Sequence, residues 1–375
     1  MVFIVNMFDF LIKRPVYLAF FCLSLLILLT LQACNGKTNK DSDSRFTYYL
    51  EGPTMGTQYH IKVVMDNELK GEAGDAFLAE LEESVRKRLI EINQEMSTYI
   101  DDSQLSLFNK YEVDSWYPVS QDLFDVLKVS REVSEESSGA FDVTVGPLVN
   151  LWGFGPERKQ KIPSDAEIDK AIVKTGYKKI QILAAQDDET DTVIHKTQVK
   201  KVSDVYVDLS AVAKGFACDL LARDFKQKGL EDFMIEIGGE LFVSGLSGKA
   251  KPWAIGVEKP SLLQKGALQA VGISNVGVAT SGDYRNYYEV DGVRASHTID
   301  PLTGRPIEHR LVSVTVVADT AAKADAYATA INVLGEVDGF ALAQKLKLAA
   351  YFIERGKKDY SIKYTPEFKQ YMVEQ

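Results

Sequence analysis

The feature that most restricts the fold of this chain is a succession of short β-type runs with a punctuated helix at either end. The runs fall at 233–237, 241–243, 253–257, 268–273, 276–279 and 311–318. A helix over 210–229 precedes them, with Phe216, Leu220, Leu221 and Phe225 as its apolar stripe. Ser210 is placed to cap its start, and Gly229 stands at the C′ position. A second helix, over 321–334, follows the runs. Its alanines at 321, 322, 324, 326, 328 and 330 let another backbone come close. Upstream, 46–50 and 57–65 read as strands, while 74–95 and 121–137 carry helical stripes. Long helices inserted among strands that look antiparallel predict an α+β fold, not a doubly wound parallel sheet. Neither GxGxxG nor GxxxxGK[ST] occurs, so Rossmann and P-loop readings have no local support.

The chain has 375 residues, 46% of them apolar, enough to bury a sizeable core. Its net charge of −10 argues against nucleic-acid binding and leaves no basic patch for anionic lipid. An acidic chain that holds a phosphate-bearing ligand must supply positive charge locally, from a cation, a lysine or a helix start. The first residues read as targeting, not fold. Lys13 and Arg14 precede an apolar run over 16–31, which ends in Leu31-Gln32-Ala33-Cys34, a match to the bacterial lipobox. The expected organisation is therefore a lipoprotein signal peptide over 1–33, a flexible tether over 34–45 and a body over 46–375. Translation starts at Met1 or Met7. Acyl chains on Cys34 would tether the body to the bacterial cell envelope, facing the periplasm. Cys22 leaves with the signal peptide. Cys218 then remains alone in a helical pattern, read as a buried small hydrophobe.

Three constellations carry chemistry. Asp325 and Thr329 lie one helical turn apart, so both point to one face. Their hard oxygens suit Mg²⁺, although spacing alone favours an exposed helix surface. Residues 208–215 lead from a strand into the helix at Ser210, where unpaired N–H groups favour phosphate. Lys214 lies on the first turn, where a cation opposes the helix dipole unless an anion sits nearby. Ala140-Phe141-Asp142 reads as a strand leading to the turn at Gly146-Pro147. Of the four histidines, His60, His195 and His309 fall in strand-like or charged surface contexts. His297 stands in a loop between glycine-marked turns, where chemistry is usually placed.

Taken together, SGAFDVTVGPLVNLWGFGP (138–156), VDLSAVAKG (207–215), SGDYRNYYEVDGVRASHTIDPLTGRP (281–306) and ADAYAT (324–329) resemble the ApbE-type FAD:protein FMN transferases. The motifs occur in order, and the resemblance runs from about 54 to 335. It implies an ApbE-like, T-fold-like arrangement of mixed, mostly antiparallel sheets with packed helices. It also implies transfer of FMN from FAD to a threonine hydroxyl of an acceptor protein, with release of AMP. By the same resemblance Ala211, through its carbonyl, Asp325 and Thr329 would hold Mg²⁺. Met55, Tyr99, Ala140, Phe141, Asp142, Asp208, Lys214 and Ile299 would contact the flavin nucleotide, and His297 would act as general base. Ala328 stands where some relatives carry a second Asp, so the metal would have one carboxylate fewer. Tyr99 stands where relatives that hydrolyse FAD carry a smaller residue. The implied acceptors are extracytoplasmic subunits of Nqr- and Rnf-type redox complexes with a D-G-x-[ST]-[GSA]-T pattern. An FAD pyrophosphatase and a non-catalytic FAD-binding lipoprotein are the rival readings.

Overall fold

An eight-stranded sheet organises the chain, and every ladder in it is antiparallel. The computed structural model describes residues 45–66, 71–155, 161–184, 197–259, 266–282, 287–290, 293–356 and 359–373. The segments expected as signal peptide and tether, up to residue 44, with Cys34, and also His195, lie outside the described residues. Residues Arg45–Gln375 form one compact unit.

The elements before the sheet's middle strands are β1 (Arg45–Thr54), β2 (Thr57–Asp66), α1 (Glu72–Met96), α2 (Gln104–Lys110), β3 (Tyr117–Pro118), α3 (Gln121–Glu136), α4 (Gly146–Leu151), α5 (Asp165–Ile172), β4 (Ile180–Leu183) and β5 (Gln198–Lys201). Then come α6 (Ala213–Gln227), β6 (Phe233–Ile237), β7 (Glu240–Ser244), β8 (Trp253–Glu258), β9 (Ala267–Ile273), β10 (Val276–Gly282), β11 (Tyr287–Val290), β12 (Val293–Ser296), β13 (Leu311–Ala318), α7 (Ala321–Lys345), β14 (Ala349–Arg355) and β15 (Tyr360–Tyr364). The main sheet runs β1-β2-β6-β7-β10-β13-β14-β15. Smaller antiparallel sheets pair β8 with β9, β11 with β12, and β3-β5-β4. Helices and antiparallel sheets sharing one body make the fold α+β.

The period of two along a strand splits the apolar residues between two cores. Tyr59, Ile61 and Val63 of β2, Phe233, Ile235 and Ile237 of β6, and Ala350 and Phe352 of β14 face one core, shared with α1, α3, α6 and α7. Val64, Met234, Leu241, Val243, Val317, Tyr351 and Ile353 face the other. There they meet Trp253, Val257, Val271 and Ile273 of the β8–β9 hairpin and Phe368 near the C-terminus. Both faces are covered, which is why β13 and β14 are apolar at nearly every position.

Helix α6 begins at Ala213, three residues after the expected start. Ser210 does not cap it: the Ser210 hydroxyl and N–H both donate to Asp208 Oδ1, at 2.5 and 2.8 Å. The other end is as read. Gly229 adopts φ 79°, Gly229 N donates to Lys226 O, and Leu230 N to Phe225 O, a Schellman close. Ala140-Phe141-Asp142 is a turn, not a strand. Asp142 Oδ1 accepts from Thr144 N and Thr144 Oγ1, and its Oδ2 accepts from Tyr177 N, so the carboxylate organises a local turn instead of a ladder. Helix α7 breaks at Gly335 (φ 77°, ψ −168°), just past the end of the helix expected over 321–334, and runs on to Lys345.

Candidate functional site

Backbone packing places the start of α6 against the start of α7. A Cβ at Gly215 would stand 2.3 Å from Ala321 O, and one at Gly277 of β10 would stand 2.2 Å from Ala321 N. Only glycine allows either approach. Asp219 of α6 completes the joint by accepting from Ala321 N and Ala322 N, both at 2.8 Å, while Thr320 Oγ1 accepts from Lys323 N. The unpaired N–H groups of the α7 start are thus satisfied by side chains. Asp219 was not singled out from the sequence; its burial and its helix-end partners exist only in the fold.

This joint brings Asp325 next to Lys214. Asp325 is buried, and its Oδ2 accepts from Gly215 N at 3.2 Å. Burial pushes its carboxyl above the ordinary range, while Lys214 and the Gly215 N–H pull it back. Asp325 is therefore not on an exposed helix surface. Lys214 Nζ lies 3.3 Å from Glu240 Oε1, with 26% of the lysine side chain exposed. Burial opposes the lysine's charge, but Asp325 and Glu240 outweigh it and its pKa ends raised. Glu240, the first residue of β7, is 6% exposed, and burial pushes its carboxyl up to about 8 against the pull of Lys214. Sequence reasoning passed over Glu240 because Gly238-Gly239 before it reads as a surface turn. Cys218 is buried, and desolvation pushes its thiol well up, in keeping with a packed hydrophobe.

Above this charged floor opens a cavity of about 970 Å³. Its lining includes Tyr99, Ala140, Phe141, Asp142, Asp208, Ala211, Lys214, His297, Ile299, Asp325 and Thr329, so residues far apart in sequence share one wall. Met55 is not among the described residues that line it. Met55 sits at φ 49° in the β1–β2 turn, packed against the larger core. Tyr99 is 67% exposed at the cavity wall, and Ile299 is buried and bridged to Pro306. Phe154, Glu240, Gly238 and Gly239 complete part of the wall. Phe154 meets the His297 ring edge-on at 6.4 Å between centroids.

Asp325, the Thr329 hydroxyl and the Ala211 carbonyl are hard oxygen donors on one cavity. Mg²⁺ keeps several waters and shares substrate phosphates, so a set this small fits it. Among the described residues no group of three or more His, Cys, Asp and Glu side chains is placed to hold a metal ion by itself. The donors therefore fit a cation completed by a ligand, and not an all-protein cage.

The ApbE family profile matches residues 55–352. An FAD:protein FMN transferase of Salmonella typhimurium is 38% identical over 353 residues, covering 94% of this chain and 96% of its own length. One of Escherichia coli K12 is 40% identical over 326 residues, covering 86% and 89%. Among solved structures, the flavin transferase ApbE of Vibrio cholerae superposes with a TM-score of 0.75 at 37% identity, covering 87% of this chain and 99% of that one.

Proposed function

The chain belongs to the ApbE family, and from that premise we propose how its cavity performs the transfer of FMN from FAD to an acceptor protein. It is an FAD:protein FMN transferase, with FAD as substrate and a flavoprotein as acceptor. The single observation that carries the residue-level reading is convergence. The α6 start, the Asp325/Thr329 face of α7 and His297 line one cavity.

The FAD pyrophosphate lies beside the start of α6, where the Lys214 ammonium and the positive end of the helix dipole favour phosphate, the Gly215 N–H being taken by Asp325. Asp325, Thr329 and the Ala211 carbonyl would hold Mg²⁺. When bound, the ion neutralises charge on the pyrophosphate. The acceptor's threonine hydroxyl approaches the FMN phosphorus beside His297. His297 takes the hydroxyl proton, the threonine oxygen–phosphorus bond forms, and the phosphorus–oxygen bond to AMP breaks. FMN is left on the threonine as a phosphoester. Tyr99, Phe141 and Ile299 supply apolar surface for the flavin nucleotide, and the exposed Tyr99 ring covers part of the site where water would otherwise compete. Asp142 acts through the geometry of its turn, since both oxygens of its carboxylate are engaged by Thr144 and Tyr177, while Asp208 braces Ser210 through Oδ1.

We also propose Cys34 as a lipid anchor in the cell envelope, on the sequence at 31–34, and extracytoplasmic redox subunits with the D-G-x-[ST]-[GSA]-T pattern as acceptors. Cys34→Ser is expected to move the protein from the membrane to the soluble fraction; retention on the membrane would count against the anchor. The transfer reading is tested by product stoichiometry. With acceptor present, AMP and acceptor-bound FMN should appear one for one with no free FMN. Free FMN with an unlabelled acceptor would indicate hydrolysis of FAD instead.

A further inference from the structure

The break in α7 is tied to the His297 loop, and the tie rests on a residue one turn beyond the metal-facing pair. Gly335 leaves helical geometry, which takes carbonyls before it out of the i→i−4 ladder. His309 Nε2 lies 2.6 Å from one of them, Asn332 O. A carbonyl only accepts, so His309 carries its proton on Nε2 and donates. The His309 ring packs against Gly335: a Cβ there would stand 2.8 Å from His309 Cδ2. The Asn332 side chain is fully buried, and its Nδ2 donates to Thr298 Oγ1 at 3.4 Å. Thr298 is the residue next to His297. Its N–H is held by Ser296 Oγ at 3.2 Å, and its carbonyl accepts from Ile307 N at 3.1 Å. Asn332 therefore holds both ends of the segment 298–309, and it lies on the same helix as Asp325 and Thr329. Among the described residues, Asn332 Oδ1 and His309 Nδ1 are buried without hydrogen-bond partners. Buried polar groups left so are costly, and each calls for an explanation.

We propose that Asn332 and His309 are positioning residues for the transfer reaction. They hold the His297 loop at a set distance from the Asp325/Thr329 face, so that the base meets the acceptor hydroxyl where the FAD phosphorus lies. The inference rests on the functional reading above. Neither residue is among the described residues that line the cavity, whereas Thr298 is: Asn332 acts through Thr298, and His309 acts through the Asn332 backbone. Loss of either link should therefore slow the chemical step and leave FAD binding as it was.

The test compares Thr298→Val, Asn332→Ala, the double variant, His309→Ala and His309→Gln with the unaltered protein. FAD affinity is read by titration with Mg²⁺, and transfer kcat and KM by acceptor flavinylation. Thr298→Val and Asn332→Ala should each lower kcat about tenfold with FAD affinity and KM for FAD within twofold. The double variant should be no slower than the worse single one, because both remove the same link. Glutamine places an N–H near the Nε2 position, so His309→Gln should restore most of the kcat that His309→Ala loses. Unchanged kcat in Thr298→Val, additive losses in the double variant, or a parallel loss of FAD affinity would each overturn the proposal. If a variant at Asn332 fails to fold, the Thr298 and His309 comparisons still decide it. Absence of transfer by the unaltered protein would overturn the functional reading and this inference together; normal transfer with unaffected variants would overturn this inference alone.

Discussion

Asp325 is a buried carboxylate with one backbone N–H donor and a lysine beside it, a poor arrangement for stability and a good one for receiving a cation. Removing one partner of a buried charge pair leaves the other uncompensated. Asp325→Ala is therefore expected to abolish Mg²⁺-dependent FAD binding and to lower transfer roughly 10²-fold or more, since a metal supplies several kcal/mol of charge stabilisation. Isothermal titration with Mg²⁺ and FAD checks it; unchanged cation dependence would place the ion elsewhere. Glu240 yields a pH prediction. Its folded-state pKa is raised from 4.5 to about 8 by burial. Below the unfolded value both states are protonated and Glu240 contributes nothing. As pH rises towards the folded value, the unfolded state ionises first and stability is lost. The stability of the unaltered protein minus that of Glu240→Gln should therefore fall between about pH 4.5 and pH 8. Urea unfolding at both ends measures it, and a flat difference would show the carboxylate ionised throughout. Asp325, Thr329, Lys214 and His297 were singled out through motif and resemblance, and the fold brings all four to one cavity. Glu240 and Asp219 were not, because a glutamate after two glycines and an aspartate on a helix read as solvated until the fold buries them.

Helix α7 carries the site, and its placement depends on backbone contact more than on side chains. The alanine run predicts a close neighbour, and the neighbours are the α6 backbone at Gly215 and the β10 backbone at Gly277. Gly277→Ala would force a methyl against backbone atoms of Ala321 and should cost about 1–3 kcal/mol. Gly266→Ala, with nothing within 4 Å of the added methyl, serves as the control. Equal unfolding midpoints for the two would contradict the packing. Asp219→Ala should cost about 1–3 kcal/mol by leaving two N–H groups at the α7 start unpaired. Thermal unfolding reads this loss, and an unchanged midpoint would mean that water replaces the carboxylate. Element types were legible where periodicity was strong, as in α1, α3 and the Gly229 close. The α6 start was misplaced because the Ser210 hydroxyl turns back to Asp208, a choice that residue propensity does not encode. The turn at 140–142 was read as a strand because its apolar residues hide the Asp142 contacts that bend it.

At the scale of the whole molecule, the sheet is covered on both faces. The helical face supplies the α6–α7 joint, and residues of the β8–β9 hairpin on the other core, Val257 and Val271, also line the cavity. The α+β class and antiparallel order follow from the succession of short runs. The closure of the cavity by segments from 99 to 329 does not, since it depends on contacts far apart in sequence. Transfer of FMN onto a protein hydroxyl in this cavity is expected to need a divalent cation. Its most direct test incubates the protein with FAD, Mg²⁺ and an acceptor domain bearing the D-G-x-[ST]-[GSA]-T pattern, then reads flavin fluorescence on the denatured acceptor with and without EDTA. A fluorescent acceptor band that EDTA removes and that acceptor threonine→alanine abolishes is expected. A fluorescent band that survives EDTA, or a dark band with FMN and AMP accumulating, would contradict it.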